Sequence, residues 1–273
     1  ILKDSQGQIW SVAAPGGMFA VDRSSGQPAS IDEADGLEEN EVWATVVDSI
    51  GRIWIGTYEG VDVYYPDTKI LKKFTTDEGL AHNFTNNLFL DQQGKIWVAG
   101  GRDGVSIIDP NNETIRILSV KDDLKGHRAR YVNQDNQGNM WFAGDQGVFS
   151  KYEPEKAKVT IYSDSLETST LTSIKVDVDQ NVWLGSQGSG ILRFNPRTHE
   201  RKWIRVENGL VSNNVYALDV RDEGIIWVAG GKGVEKIDLN DSEISLFTRK
   251  QGLLAADTYD IKERNGKVYA GTS

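Results

Sequence analysis
Residues 91–110 read "DQQGKIWVAGGRDGVSIIDP", and the phrase returns through the chain with its turn residues, tryptophan and glycines nearly in place. It reads "DSIGRIWIGTYEGVDVYYP" at 48–66, "DNQGNMWFAGDQGVFSKYEP" at 135–154 and "DEGIIWVAGGKGVEKID" at 222–238. The aromatics that follow each turn are Trp10, Trp54, Trp97, Trp141, Trp183, Trp227 and Tyr269, at gaps of 44, 43, 44, 42, 44 and 42 residues. A period of about 43 residues made only of strand-like segments is the mark of a four-stranded propeller blade. Helical repeats of that length would space their apolar residues by three and four, and these do not.

One unit shows how the blade is written. From residue 213, "NNVYALDV" reads as strand A, "DEG" as a tight turn, "IIWVAGG" as strand B, "GVEKID" as strand C, "LNDS" as a turn and "EISLFTR" as strand D. The A–B turn recurs as D-x-x-G at Asp4/Gly7, Asp48/Gly51, Asp91/Gly94 and Asp135/Gly138. Aspartate accepts nearby backbone amides while glycine adopts positive φ without a steric cost, so the pair closes a hairpin. The stretches at 179–181 (DQN) and 265–266 (NG) are expected to turn with asparagine instead.

Strand B is apolar on successive positions, as in "RIWIGT" and "KIWVAG". Such a strand is buried on both faces, as when sheets stack face to face around an axis. The tryptophan is then expected to fill the wedge between neighbours, and Gly56, Gly100, Gly144, Gly185 and Gly230 to let backbones approach. Seven B strands predict an all-β, seven-bladed propeller of four-stranded antiparallel blades in a single domain, 1–273, with an incomplete seam.

These residues resemble the two-component regulator propeller repeat, whose unit reads roughly N-x-V-x-x-L-x-x-D-x-x-G-x-[IL]-W-[IV]-G-T-x-x-G-[LV]-x-x-[YF]-[DN]-P. Residues 213–238 and 86–110 follow it closely, as does the inter-repeat GL-x-x-N at Gly36/Leu37/Asn40, Gly79/Leu80/Asn83 and Gly209/Leu210/Asn213. "LKGHRARY" and "LETSTLTS" replace that motif in the fourth and fifth units. The resemblance implies a periplasmic, non-catalytic sensor domain of a membrane-anchored receptor such as a histidine kinase. It further implies carbohydrate ligands, adjoining propeller or receptor domains, and a homodimeric assembly of which this chain is one part.

Composition excludes other classes. A formal charge of −10 argues against nucleic acid or an acidic membrane surface as partner. No apolar run of about 18 residues is present to span a bilayer, and the absence of cysteine removes disulfides, thiolate metal sites and cysteine nucleophiles. His82, His127 and His199 form no H-x-x-x-H pair, so neither a metal nor a cofactor is expected. "DVDQN" at 177–181 opens like a calcium loop but lacks its glycine and distal glutamate, and reads as a hairpin turn. No Ser stands in G-x-S-x-G.

Residues required by every blade are structural, so function is sought where repeats differ. Loops D–A and B–C share one face of a propeller, and repeat-specific residues there are Tyr58, Glu59, His82, Arg102, Asp103, His127, Arg128, Arg130, Gln187 and Lys232. Directed donors with a few aromatics suit an oligosaccharide or other polar small ligand. The alternatives are a propeller-type lyase resembling streptogramin lyase, and a protein-interaction scaffold. Tyr64, Tyr65 and Trp203 on outer strands are expected to be exposed, with edge packing as the default reading and a neighbouring propeller or dimer partner as the alternative.

Overall fold
The computed structural model describes residues 2–4, 8–13, 16–21, 26–37, 41–119, 123–124, 128–162, 170–221 and 224–272. Among them the chain forms six four-stranded antiparallel sheets and one two-stranded sheet. The first blade holds β1 (Leu2–Lys3), β2 (Ile9–Ala13), β3 (Gly17–Val21) and β4 (Pro28–Ile31). The second holds β5 (Ala44–Val47), β6 (Ile53–Gly56), β7 (Val61–Tyr65) and β8 (Ile70–Phe74), and the third β9 (Asn87–Leu90), β10 (Ile96–Ala99), β11 (Gly104–Asp109) and β12 (Thr114–Ser119). The fourth holds β13 (Ala129–Gln134), β14 (Met140–Gly144), β15 (Phe149–Glu153) and β16 (Lys158–Tyr162). The fifth holds β17 (Leu171–Val176), β18 (Val182–Ser186), β19 (Ile191–Phe194) and β20 (Arg201–Ile204). The sixth holds β21 (Val215–Val220), β22 (Ile225–Gly230), β23 (Gly233–Asp238) and β24 (Glu243–Phe247), and the two-stranded sheet pairs β25 (Thr258–Arg264) with β26 (Lys267–Thr272).

The fold is an all-β propeller of four-stranded blades, and the expected seven blades are corrected to six. Counting B-strand aromatics counted Tyr269, but 258–272 supply a hairpin, which is strands A and B alone. By packing, the chain divides into two compact units, Ile1–Val132 and Asn133–Ser273, with the boundary inside β13.

The recurring A–B turn has more chemistry than its sequence discloses. One carboxylate oxygen of each of Asp48, Asp91 and Asp135 accepts the amides two and four residues on. For Asp91 these are Gln93 (2.9 Å) and Lys95 (2.8 Å). The other oxygen accepts the indole Nε1–H six residues on, in Asp4–Trp10, Asp48–Trp54, Asp91–Trp97, Asp135–Trp141 and Asp177–Trp183, at 2.7 to 3.1 Å. The same carboxylate therefore shapes the hairpin and satisfies the one polar atom of a buried tryptophan. Gly51, Gly94 and Gly138 take φ of +94°, +80° and +81° in these turns, while Gly7 lies outside the described residues. At 177–181 the hairpin forms, but Gln180 takes positive φ (+68°) and Asp177 supplies the acceptor, so asparagine is not the turning residue there.

The B strands are buried throughout in β6, β10, β14 and β18. Trp54 packs with Phe74 of its own blade and Leu88 and Val98 of the next, and Trp183 with Leu218 and Val228 of the next, as a wedge requires. The glycines after them act in two registers. A Cβ on Gly56 would lie 2.4 Å from Thr85 Cγ2, and one on Gly185 2.8 Å from Val215 Cγ1, so these two admit the next blade. A Cβ on Gly100 would instead lie 2.4 Å from the amide nitrogen of Asn86, in the approach to β9 of its own blade.

The D–A connections explain GL-x-x-N. Gly36, Gly79 and Gly209 take φ of +100°, +106° and +106°, and Leu37, Leu80 and Leu210 are buried. The asparagine then closes the loop: Asn83 Oδ1 accepts the amide of Thr76 (2.8 Å) and Asn213 Oδ1 that of Val206 (2.9 Å). Asn40 lies outside the described residues. The residue after the leucine is held by strand C, where Ala81 N–H donates to Ser106 Oγ (2.8 Å) and Val211 N–H to Glu235 Oε2 (2.9 Å).

Burial raises the Glu235 carboxyl above its ordinary value of 4.5, against the lowering effect of the Val211 amide and Lys232. A raised folded-state value favours the folded protein below pH 4.5 and is lost as pH rises through the folded value. Glu235→Gln can keep the Val211 hydrogen bond without the buried charge. Its denaturation midpoint is expected to match wild type near pH 4 and to exceed it at pH 7, read by urea titration at both values.

Candidate functional site
The B–C and D–A connections lie at the same end of each blade, because antiparallel strands alternate in direction. In the first unit three aromatic side chains meet at that end. Trp43 sits in the approach to β5, where its N–H donates to Gly56 O (2.8 Å). Tyr58 belongs to the β6–β7 loop and Phe84 to the β8–β9 connection. Tyr58 stacks on Phe84 with ring centroids 4.8 Å apart and planes 20° apart. Trp43 meets both edge-on, at 5.3 Å from Tyr58 and 5.9 Å from Phe84. Trp43 remains 44% and Tyr58 41% exposed, so the cluster packs together and still presents ring surface to solvent.

Polar groups adjoin these rings. His82 Nδ1 accepts the amide of Phe84 (2.9 Å), and its side chain lies over Gly101, where a Cβ would come within 2.1 Å of His82 Cβ. Arg128 Nη2 donates to Gly100 O (3.3 Å), and Asn86 Nδ2 donates to Arg130 O (3.2 Å). Glu59 is exposed with its amide on Thr57 Oγ1 (3.1 Å), and Arg102 and Asp103 are exposed in the β10–β11 loop. Of the residues expected from sequence, Tyr58, His82 and Arg128 therefore share one neighbourhood in this unit. His127 lies outside the described residues.

In the second unit Gln187 is exposed, its amide donating to Thr170 O (3.1 Å), and Lys232 Nζ donates to Val211 O (3.3 Å). These two contacts lie in different blades and do not bring the side chains of Gln187 and Lys232 onto a common partner. Tyr64, Tyr65 and Trp203 are half-buried, contrary to the exposure expected of them. Tyr64 and Tyr65 pack against the cores of their blade, and the Arg205 guanidinium covers Trp203 at 4.7 Å. Sequence reasoning missed Trp43 and Phe84. The signal was available, since β5 is entered through Trp43 where β9 is entered through Asn86 and β21 begins with Val215–Tyr216, a position at which the repeats disagree.

His199 packs on Phe194 and Tyr162 in a C–D turn. Among the described residues no group of three or more His, Cys, Asp or Glu is placed to hold a metal ion. No helix among them is long and apolar enough to cross a membrane.

The blades and their connections define a propeller of the all-β class. Residues 36–59, which contain Gly36/Leu37, the Asp48 turn and Trp54, match the family model of the two component regulator propeller. No curated protein matches the chain in sequence. Among solved structures, the extracellular domain of a hybrid two component system from B. thetaiotaomicron is similar over 100% of this chain and 38% of that one, with TM-score 0.83 and 17% identity. Virginiamycin B lyase from Staphylococcus aureus is similar over 100% of this chain and 90% of that one, with TM-score 0.79 and 14% identity. The extracellular domain of a one component system from B. thetaiotaomicron matches over 99% of this chain and 46% of that one, with TM-score 0.52 and 19% identity. At these identities the likeness is one of fold, and the chain spans less than half of either receptor domain.

Proposed function
We propose that the chain is a non-catalytic, extracytoplasmic sensing propeller of a membrane-anchored signalling receptor, and that it takes a polar ligand with apolar ring faces, such as an oligosaccharide, on Trp43, Tyr58 and Phe84. The observation that carries this is the exposed aromatic cluster beside His82 and Arg128. Sugars present flat C–H faces that stack on aromatic rings, and hydroxyls that need directed partners. The repeat type and the receptor-domain neighbours support the signalling context. Adjoining receptor domains and a second copy of the chain are the partners this reading implies.

A panel of oligosaccharides screened by thermal shift tests it. Saturation at 100 times Kd is expected to stabilise the wild type by about 2.7 kcal/mol. In Trp43→Ala the same concentrations should give no shift while the unliganded melting temperature stays within a few degrees. A ligand that shifts both proteins equally would place binding elsewhere.

The second reading is a lyase, favoured by a fold match that runs through 90% of virginiamycin B lyase. Incubation with a streptogramin B lactone discriminates the two. A linearised product seen by mass spectrometry would overturn the non-catalytic reading, and unchanged lactone upholds it.

A further inference from the structure
We propose that the second unit carries a separate site for a small organic ammonium ion, built over Gly231 by Tyr216, Tyr259 and Asp257. Tyr216 follows Val215, and Tyr259 follows Thr258; both preceding residues are fully buried and sit opposite strand B, Val215 against Gly230 and Thr258 against Thr272. This shared register on successive A strands brings the tyrosine rings together, with centroids 5.3 Å apart and planes 12° apart. Tyr259 is 56% exposed, so one ring of the stack faces solvent.

Gly231 opens the β22–β23 loop, and its missing side chain leaves a cradle. A Cβ there would lie 3.3 Å from Tyr216 Oη and 3.3 Å from Asp257 Oδ1. Two oxygens thus flank the bare backbone at Gly231. The Asp257 carboxylate has no ion-pair partner among the described residues, and the adjacent cation, Lys232, directs its Nζ to Val211 O instead.

This arrangement selects by charge. A carboxylate only accepts hydrogen bonds, a phenol oxygen can accept, and aromatic faces carry negative quadrupole potential. An ammonium group offers donors without acceptors and a positive charge, matching all three elements. A neutral hydroxylated ring could stack on Tyr259 but would leave the carboxylate without a counter-charge. No residue of this site belongs to the Trp43 cluster, so the loss of either site leaves the other intact.

The test is calorimetric titration of the whole chain at low salt with benzylammonium, its neutral counterpart benzyl alcohol, and methyl β-glucoside. Benzylammonium is expected to bind about tenfold more tightly than benzyl alcohol, with affinity falling as salt rises. Asp257→Asn, an exposed isosteric change, should weaken it about tenfold. Gly231→Ala, at a glycine without positive φ, should abolish binding by filling the cradle, and Trp43→Ala should leave it unchanged. Equal binding of the two benzyl probes, tighter binding of the glucoside, or wild-type affinity in Asp257→Asn would each overturn the proposal.

Discussion

Alanine at Gly60 is expected to destabilise the protein by about 3–5 kcal/mol, the sum of a strained φ and an overpacked contact. Gly60 leads into strand C with φ +143°, and a Cβ would lie 2.4 Å from Phe74 O, a backbone atom that cannot turn aside. The geometry recurs at Gly17 against Ile31 O, Gly104 against Leu118 O, Gly190 against Ile204 O and Gly233 against Phe247 O, each within 2.4 Å. In every case strand C enters hard against the end of strand D. Gly94 is the control, because its φ is +80° but a Cβ there would meet nothing within 4 Å. Gly94→Ala should therefore cost only about 1 kcal/mol, from conformation alone. Urea denaturation of both variants separates the terms, and equal losses would show that carbonyl proximity contributes nothing. Against a total stability of about 5–15 kcal/mol, the Gly60 change alone could leave the domain marginal.

Asp91→Ala is expected to cost about 3 kcal/mol, because three donors lose one charged acceptor. Asp91 is buried, and it accepts the Gln93 and Lys95 amides with one oxygen and Trp97 Nε1 (2.7 Å) with the other. The amides of a surface turn can recover water. The indole N–H of Trp97 cannot, since that side chain is 4% exposed. Asp91→Asn should recover about half of the loss, as its single carbonyl oxygen can serve the amides or the indole but not both. Denaturation midpoints and the near-ultraviolet dichroism of tryptophan report the two contributions. An alanine variant as stable as wild type would refute the role assigned to the carboxylate. The sixth blade shows a different solution, with Arg221 at the aspartate position paired to Glu263 at 2.7 Å.

Much of the fold was legible in the sequence because each blade is closed by local chemistry. The strand C reading at 233–238 and the A–B turns at Asp48, Asp91 and Asp135 depend on neighbours within six residues, and they stand as expected. The blade count was not, because a B-strand aromatic such as Tyr269 marks a repeat and says nothing of whether strands C and D follow. The candidate site was half legible. Tyr58 and His82 were marked by difference between repeats, whereas Trp43 and Phe84 join them through contacts that link two connections and a loop far apart in the chain. Tyr65 was misread as exposed because nothing in its local sequence shows that Arg52 would lie over its ring, 5.8 Å from the centroid.

By itself the sequence determined the strands, their hairpin turns and the tryptophan wedge, since backbone sterics, carboxylate reach and runs of apolar side chains act over a few residues. The tertiary structure alone decided that glycine is demanded where strand C meets a carbonyl of strand D, and which aromatic side chains share a surface. Those outcomes depend on distances between different strands and loops, which chain packing sets and no local pattern encodes.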